Sequence, residues 1–294
     1  MTSARRRIRI AALALLTVLS ASAQTPNYAA ERAERAQGLT QPYGWFSLIS
    51  LESLLPGSTT VGSAKGNKVV LAAAPAHMVT LSSSHGIVTV TAADPCLKLQ
   101  GKPVPTGFTV STDEGSSSAL SCNTLRFWAI DRGGKRYLRT KDSNAPALKH
   151  FHGLSWYAPD AHLRLTAQWR VYPTPHTMSV LNKLGQITPV QVPGYVEFTL
   201  NGKTYKLTPM EADKDSLFFV FRDETFKTTT DGGGRFLVTS APSNGIDHPG
   251  TVTLDFNEAT NPPCAYSPFA TCPLASKENR LPVSIAAGEK RYEQ

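Results

Sequence analysis

Cysteine is scarce, at four residues in 294, so the chain is not a miniprotein held by a dense disulfide framework. Charge is also sparse, since Asp, Glu, Lys and Arg together make up 18% of the sequence. No apolar run approaches the roughly twenty residues that a membrane-spanning helix needs. Beyond Arg9 no cluster of Lys and Arg forms a track for nucleic acid. The familiar catalytic signatures are missing too. No H-E-x-x-H occurs, Gly232-Gly233-Gly234 lacks the spacing and the Lys-Ser/Thr of a phosphate loop, and Gly153-Leu-Ser155-Trp-Tyr157 has tyrosine where a nucleophile elbow requires glycine. No motif for a cofactor is present, and none is expected.

What the chain has is hydrophobic residues at 41%, enough for packed cores, and 21 glycines with 21 prolines spread along its length. That punctuation favours short strands and turns over long helices. The start has a different character. Arg5, Arg6, Arg7 and Arg9 precede an apolar stretch from Ile10 to Leu19, and Ala21-Ser22-Ala23 follows as an A-x-A cleavage site. Residues 1–23 are therefore expected to be a signal peptide, giving an exported, periplasmic or extracellular protein without stable membrane insertion after cleavage. Without those four arginines the net charge falls from +8 to +4, ordinary for a soluble chain.

The organisation expected is mostly β, with a short N-terminal helix in a segment over 24–44 and two sandwich- or barrel-like β lobes over 45–150 and 151–294. Asn27 to Gly38 predicts the helix, with Glu31 and Arg35 spaced to pair at i, i+4 and Gly38 as its C-cap. Trp45 to Leu55 fits a strand better than a helix. Alternating β-branched runs predict strands over 68–72, 78–81, 87–91, 108–111, 164–171, 217–222, 235–239, 251–256 and 281–286. Two hairpins are predicted, one turning at Gly133-Gly134 and one at Asn201-Gly202, where Asn-Gly accepts the positive φ angles of a type I′ turn.

In an oxidising compartment the cysteines are expected to form two local disulfides, Cys96 with Cys122 and Cys264 with Cys272. The seven residues between the latter pair do not match a zinc knuckle. His150-Phe-His152 has the spacing of two metal ligands on one strand face, yet only His162 offers a third, so no metal is expected.

The last third concentrates unusual chemistry. One apolar strand ends at Arg222-Asp223 and another delivers Asp255-Phe-Asn257, followed by a long irregular loop with four prolines. Arg235, Asn257, Asn261, Tyr266, Asn279 and Arg280 supply the amide, guanidinium and aromatic groups that would bind a small polar or anionic ligand. The alternative is a hydrolase drawing an acid–base pair from Asp223, Asp255 and Glu278. Asx residues also cap turns and Asp–Arg pairs also staple loops, so the same sequence could serve the scaffold alone.

D-F-N-x-A-x-N-P-P-C-A-Y, A-T-C-P-L and E-N-R-L-P-V-x-I-x-A-G-E-K at residues 255–290, with G-L-S-W at 153–156 and Gly234-Arg235-Phe236-Leu237, resemble the DUF1684 family, a bacterial and archaeal domain of unknown function. The resemblance implies a shared fold and carries no activity. The chain departs from it where Thr229 replaces the family's glutamate, Phe226-Lys227 its Ser-Gly turn, Glu258 its usual arginine and Thr260 its usual tyrosine.

Overall fold

The computed structural model describes residues 26–110, 112 and 119–293, so the expected signal segment lies outside the described residues. Helix α1 spans Tyr28–Thr40, and the Asn27 side chain caps it by accepting from the Ala30 N–H at 3.2 Å. It runs two residues past Gly38. Arg35 does not serve an i, i+4 pair on its own helix. Its guanidinium leaves the surface and bonds Glu289 at 2.7 Å. The helix is thus a tertiary element.

Trp45–Ser47 form a 3-10 turn that feeds β1 (Leu48–Ser53). There follow β2 (Gly57–Gly62), β3 (Val69–Val70), β4 (Val79–Ser84), β5 (Ile87–Ala93), β6 (Lys98–Leu99), β7 (Lys102–Pro103), β8 (Leu120–Cys122), β9 (Leu125–Arg132) and β10 (Lys135–Asp142). They build two sheets, ordered β1-β10-β9-β8-β6-β7 and β3-β2-β4-β5. Inward residues of both sheets, among them Val61, Leu81, Val90, Leu120 and Phe127, share one core. The disulfide Cys96–Cys122 ties the segment before β6 to β8, with Cα atoms 5.1 Å apart. Of the strand expected over 108–111, residues 108–110 form only a bridge at Thr109, and Ser111 lies outside the described residues.

A one-turn helix α2 (Pro146–Lys149) precedes the second group of strands. These are β11 (Arg164–Leu181), β12 (Ile187–Leu200), β13 (Lys203–Leu207), β14 (Glu211–Ala212), β15 (Ser216–Phe221), β16 (Arg235–Ser240) and β17 (Gly250–Asp255). The sheets are ordered β13-β12-β11-β17 and β14-β15-β16. Their inner faces enclose a second core that includes Trp169, Val196, Phe219, Leu237 and Leu254. The protein is mostly β with a short N-terminal helix. Both expected hairpins form. Asn201 and Gly202 have φ of 52° and 73°, and Gly133 and Gly134 have 61° and 76°, the positive values a type I′ turn requires.

Three local expectations are corrected. First, β11 does not stop at Val171. It runs on as a two-stranded ribbon with β12, and the register break between Val171 and His176 absorbs Pro173 and Pro175. Second, residues 281–286 form no strand. The Ile285 N–H donates to the Asp223 carboxylate at 2.7 Å and its carbonyl accepts from Arg235 at 3.0 Å, so side chains take the place of a ladder. Third, Cys264 and Cys272 are thiols, not a disulfide. Cys264 lies in the 3-10 turn Pro263–Ala265, and its backbone N–H donates to the Cys272 Sγ at 3.2 Å.

Candidate functional site

Most of the polar residues singled out in the last third are satisfied by groups of the protein itself. Asp223 is buried and accepts from Arg235 at 2.9 Å, from the Thr225 hydroxyl at 2.8 Å and from the Ile285 N–H. Arg235 also donates to the carbonyls of Ile285 and Ala287. Asn279 satisfies the backbone of Thr208, just past β13, and of Val220 in β15. Asn261 and Tyr266 both donate to Glu289. Arg280 is exposed beside Arg222. The three candidate carboxylates are not one constellation: Asp223 sits against Arg235, Glu278 accepts from the Thr208 hydroxyl at 3.1 Å, and Asp255 belongs to the corner under α1. His150 follows α2 in place of the expected strand position, and among the described residues no three His, Cys, Asp or Glu side chains gather as a metal site.

The corner at Asp255 is where cavities open. Strand β17 ends at Asp255, which caps the 3-10 turn Phe256–Glu258 by accepting from the Asn257 N–H at 3.1 Å. Its other oxygen accepts from Arg164 at 2.7 Å and from the Tyr28 hydroxyl of α1 at 2.8 Å. Burial first, then the hydrogen bond to Asp255, pushes the Tyr28 phenol up to about 12. Asn257 is buried and bridges to the Asp160 backbone, accepting its N–H and donating to its carbonyl.

Next to this turn a cavity of about 310 Å³ is walled by Arg32 and Glu31 of α1, by Trp156, and by Asn257, Glu258 and Thr260. The Arg32 guanidinium lies 4.7 Å from the Trp156 ring centroid, and one of its terminal nitrogens donates to the Tyr157 carbonyl at 3.1 Å. Its buried Nε has no partner. Glu258 is half-buried, and its carboxyl is pushed up to about 7, chiefly by burial and next by the Asp255 charge. Glu258 and Asp255 also line a larger open cleft along β17.

That shift has a sign in stability. The folded state holds the Glu258 proton more tightly than the unfolded chain, so this stabilisation is complete below about pH 4.5 and is lost as the pH rises through about 7. Allowing for solvent screening at a half-exposed site, Glu258→Gln should stabilise the protein at pH 8 by about 1–2 kcal/mol and do little at pH 4. Urea midpoints at the two pH values check this. Parallel behaviour of wild type and variant would assign the titration elsewhere.

Of the expected ligand residues only Asn257 lines this cavity. Arg32, Trp156 and Glu258 were not singled out as ligand residues. Trp156 stood in the G-L-S-W string and Glu258 in the D-F-N string, which is the signal that could have found them, whereas Arg32 lies on a helix whose spacing suggested solvent.

A family model described as a protein of unknown function, DUF1684, matches residues 149–290. Among solved structures, the chain is similar to an uncharacterized protein of Haloarcula marismortui determined by solution NMR. The two share 30% identity over 48% of this chain and 78% of that one, with a TM-score of 0.40. No protein of curated function matches.

Proposed function

The chain belongs to the DUF1684 family through residues 149–290, and on that premise we propose that it is an exported protein that binds a small polar or anionic ligand in the cavity between α1 and the Asp255–Thr260 corner. One observation carries the reading: the guanidinium-bearing Arg32, held against the Trp156 ring, walls a cavity floored by Asn257 and Glu258. A hydrogen bond from such a charged group to an anion is worth about 1.5–3 kcal/mol. The Trp156 ring offers a flat apolar face, and a protonated Glu258 offers a donor. The disulfide Cys96–Cys122 supports export, because such bonds persist in oxidising compartments.

The test is isothermal titration of the mature chain with inorganic phosphate, citrate, glycerol phosphate and neutral glycerol. At least one anion should bind, and Arg32→Met should weaken it about tenfold, the worth of one charge-assisted hydrogen bond. If no anion binds, or if Arg32→Met binds as well as wild type, the reading is overturned.

The hydrolase alternative now rests on a different pair. Asp255 is held by Arg164 and Tyr28, and the Glu258 carboxyl beside it is pushed up to about 7, the range a general acid or base needs. Turnover of an ester or glycoside panel, with a pH limb near 7 that Glu258→Gln removes, would support it; the absence of any turnover removes it.

A further inference from the structure

Outside the sheets, three segments of the chain are held side by side. The Tyr157 N–H donates to the Gly288 carbonyl at 3.0 Å, the Lys290 N–H to the Ser155 carbonyl at 2.8 Å, and the Arg291 N–H to the Thr229 carbonyl at 2.8 Å. Trp156 and Glu289 stand opposite each other in this pairing. Both turn toward α1, where Trp156 meets Arg32 and Glu289 meets Arg35. Alternation along an extended chain therefore sends Ser155, Tyr157 and Lys290 to the other face. A cavity of about 340 Å³ opens there, lined by Ser155, Thr228, Thr229, Lys290 and Arg291.

Its charges are not neutralised from within. The Lys290 ammonium lies 4.8 Å from the Tyr157 ring centroid, and the Tyr157 hydroxyl bonds to Thr229 on the cavity wall. Among the described residues that ammonium meets neither a carboxylate nor a hydrogen-bond acceptor. Arg291 donates through Nε and one terminal nitrogen to the carbonyls of Phe226 and Thr230, which fixes the guanidinium and leaves its charge without a counterion. Among the described residues the cavity has one carboxylate, on Glu293, which is exposed and pairs with neither cation. The Glu293 carbonyl accepts from His152 Nε2 at 2.8 Å, so the end of the chain is tied to the same wall. The Ser155 hydroxyl is exposed and bonds to no described residue.

We propose that this cavity is a second binding site, on the opposite face of residues 155–157 from the one under α1, and that it takes a phosphate group, free or carried as a monoester. Two cations against one carboxylate set the sign of the ligand. The shape of the donor set narrows it further. A planar carboxylate is matched by the two-pronged fork of one guanidinium, whereas here an ammonium, a guanidinium and hydroxyls come from three separate segments. A tetrahedral group with acceptor oxygens in several directions meets such a set, and lysine serves it as a point charge from any angle. The cavity volume falls within the range of about 300–1,000 Å³ usual for small-ligand sites, which leaves room for an esterified alcohol.

Nuclear magnetic resonance titration of the isotope-labelled mature chain tests this, with inorganic phosphate, glycerol phosphate, acetate and neutral glycerol as probes. The readout is the amide shifts of Ser155, Thr229 and Lys290. Phosphate or its ester should move all three, and acetate should bind about tenfold more weakly than either. The tighter of the two phosphates tells whether the free anion or a monoester is the ligand. Lys290→Met should weaken binding about tenfold, one charge-assisted hydrogen bond, and Lys290→Arg should restore most of it. Ser155→Ala, at an exposed position that the fold tolerates, should weaken it about fivefold and guards against a misfolded lysine variant. Arg32→Met acts on the other cavity and should leave these shifts in place, so either site can fail without the other. The proposal is overturned if neither phosphate moves these amides, if acetate binds as tightly, or if Lys290→Met and Ser155→Ala bind as wild type does.

Discussion

Asp223→Ala should lower the unfolding free energy by about 3–5 kcal/mol, the cost of stripping the partner from a buried charge. Arg235 is 1% exposed, stacks 5.0 Å from the Phe221 ring centroid, and finds one carboxylate, Asp223, at 2.9 Å. Burial pulls the Arg235 pKa down and the Asp223 charge opposes that pull. Without Asp223 the guanidinium would keep the Ile285 and Ala287 carbonyls, but its charge would have no counterion. The same loss would strip three donors of their acceptor: the Thr225 hydroxyl, the Thr225 N–H and the Ile285 N–H. The double variant Asp223→Leu with Arg235→Met should recover part of the loss, because an apolar pair of similar volume avoids desolvating ions. Urea unfolding followed by fluorescence measures both. An Asp223→Ala variant within about 1 kcal/mol of wild type would show that the pair does not clamp residues 285–287 to β15 and β16.

Glu289→Ala should cost a similar amount, about 3–5 kcal/mol, and with a different structural signature. Glu289 is 1% exposed and accepts from four donors: Arg35 Nε at 2.7 Å, the Asn261 N–H at 3.1 Å, Asn261 Nδ2 at 3.0 Å and the Tyr266 hydroxyl. Burial first, then the Glu289 charge, raises the Tyr266 phenol; burial alone would lower Arg35, and the Glu289 charge, with Tyr266 and the hydrogen bonds to both, more than offsets it. Gly288 makes this approach possible. Its φ is +76°, and a Cβ there would meet the Ala259 carbonyl at 2.4 Å. Since Arg35 is the residue through which α1 reaches this network, the variant should release the helix before the sheets unfold. Limited trypsin digestion should then cut within 32–35 while the β core survives. Arg35→Met should cost less, because Glu289 keeps its other three donors. Equal trypsin resistance in wild type and Glu289→Ala would separate α1 from the network.

Local chemistry and local structure agree closely in this chain. The start of α1, the Asn-Gly and Gly-Gly turns with the strands that flank them, and the Cys96–Cys122 pairing all rest on preferences of neighbouring residues, so they were legible in the sequence. The strings around residues 255–290 likewise carried the family. The sequence also showed where Asp, Asn and Arg crowd together. It could not show that Asp223, Asn261 and Asn279 turn inward to satisfy buried side chains and backbone, because their partners lie up to 71 residues away.

Only tertiary structure decided the rest. Arg35 and Glu289 are 254 residues apart, and Tyr28 and Asp255 are 227 apart, so no periodicity could have paired them. The partly buried position of Glu258, the chief cause of its raised pKa, follows from the docking of α1 over the Asp255 corner, and only the smaller push from the Asp255 charge comes from a neighbour in sequence. The open cleft along β17 is decided in the same way. Strand propensity makes β16 and β17, but whether two edges meet or remain apart depends on how the sheets that carry them pack on their shared core.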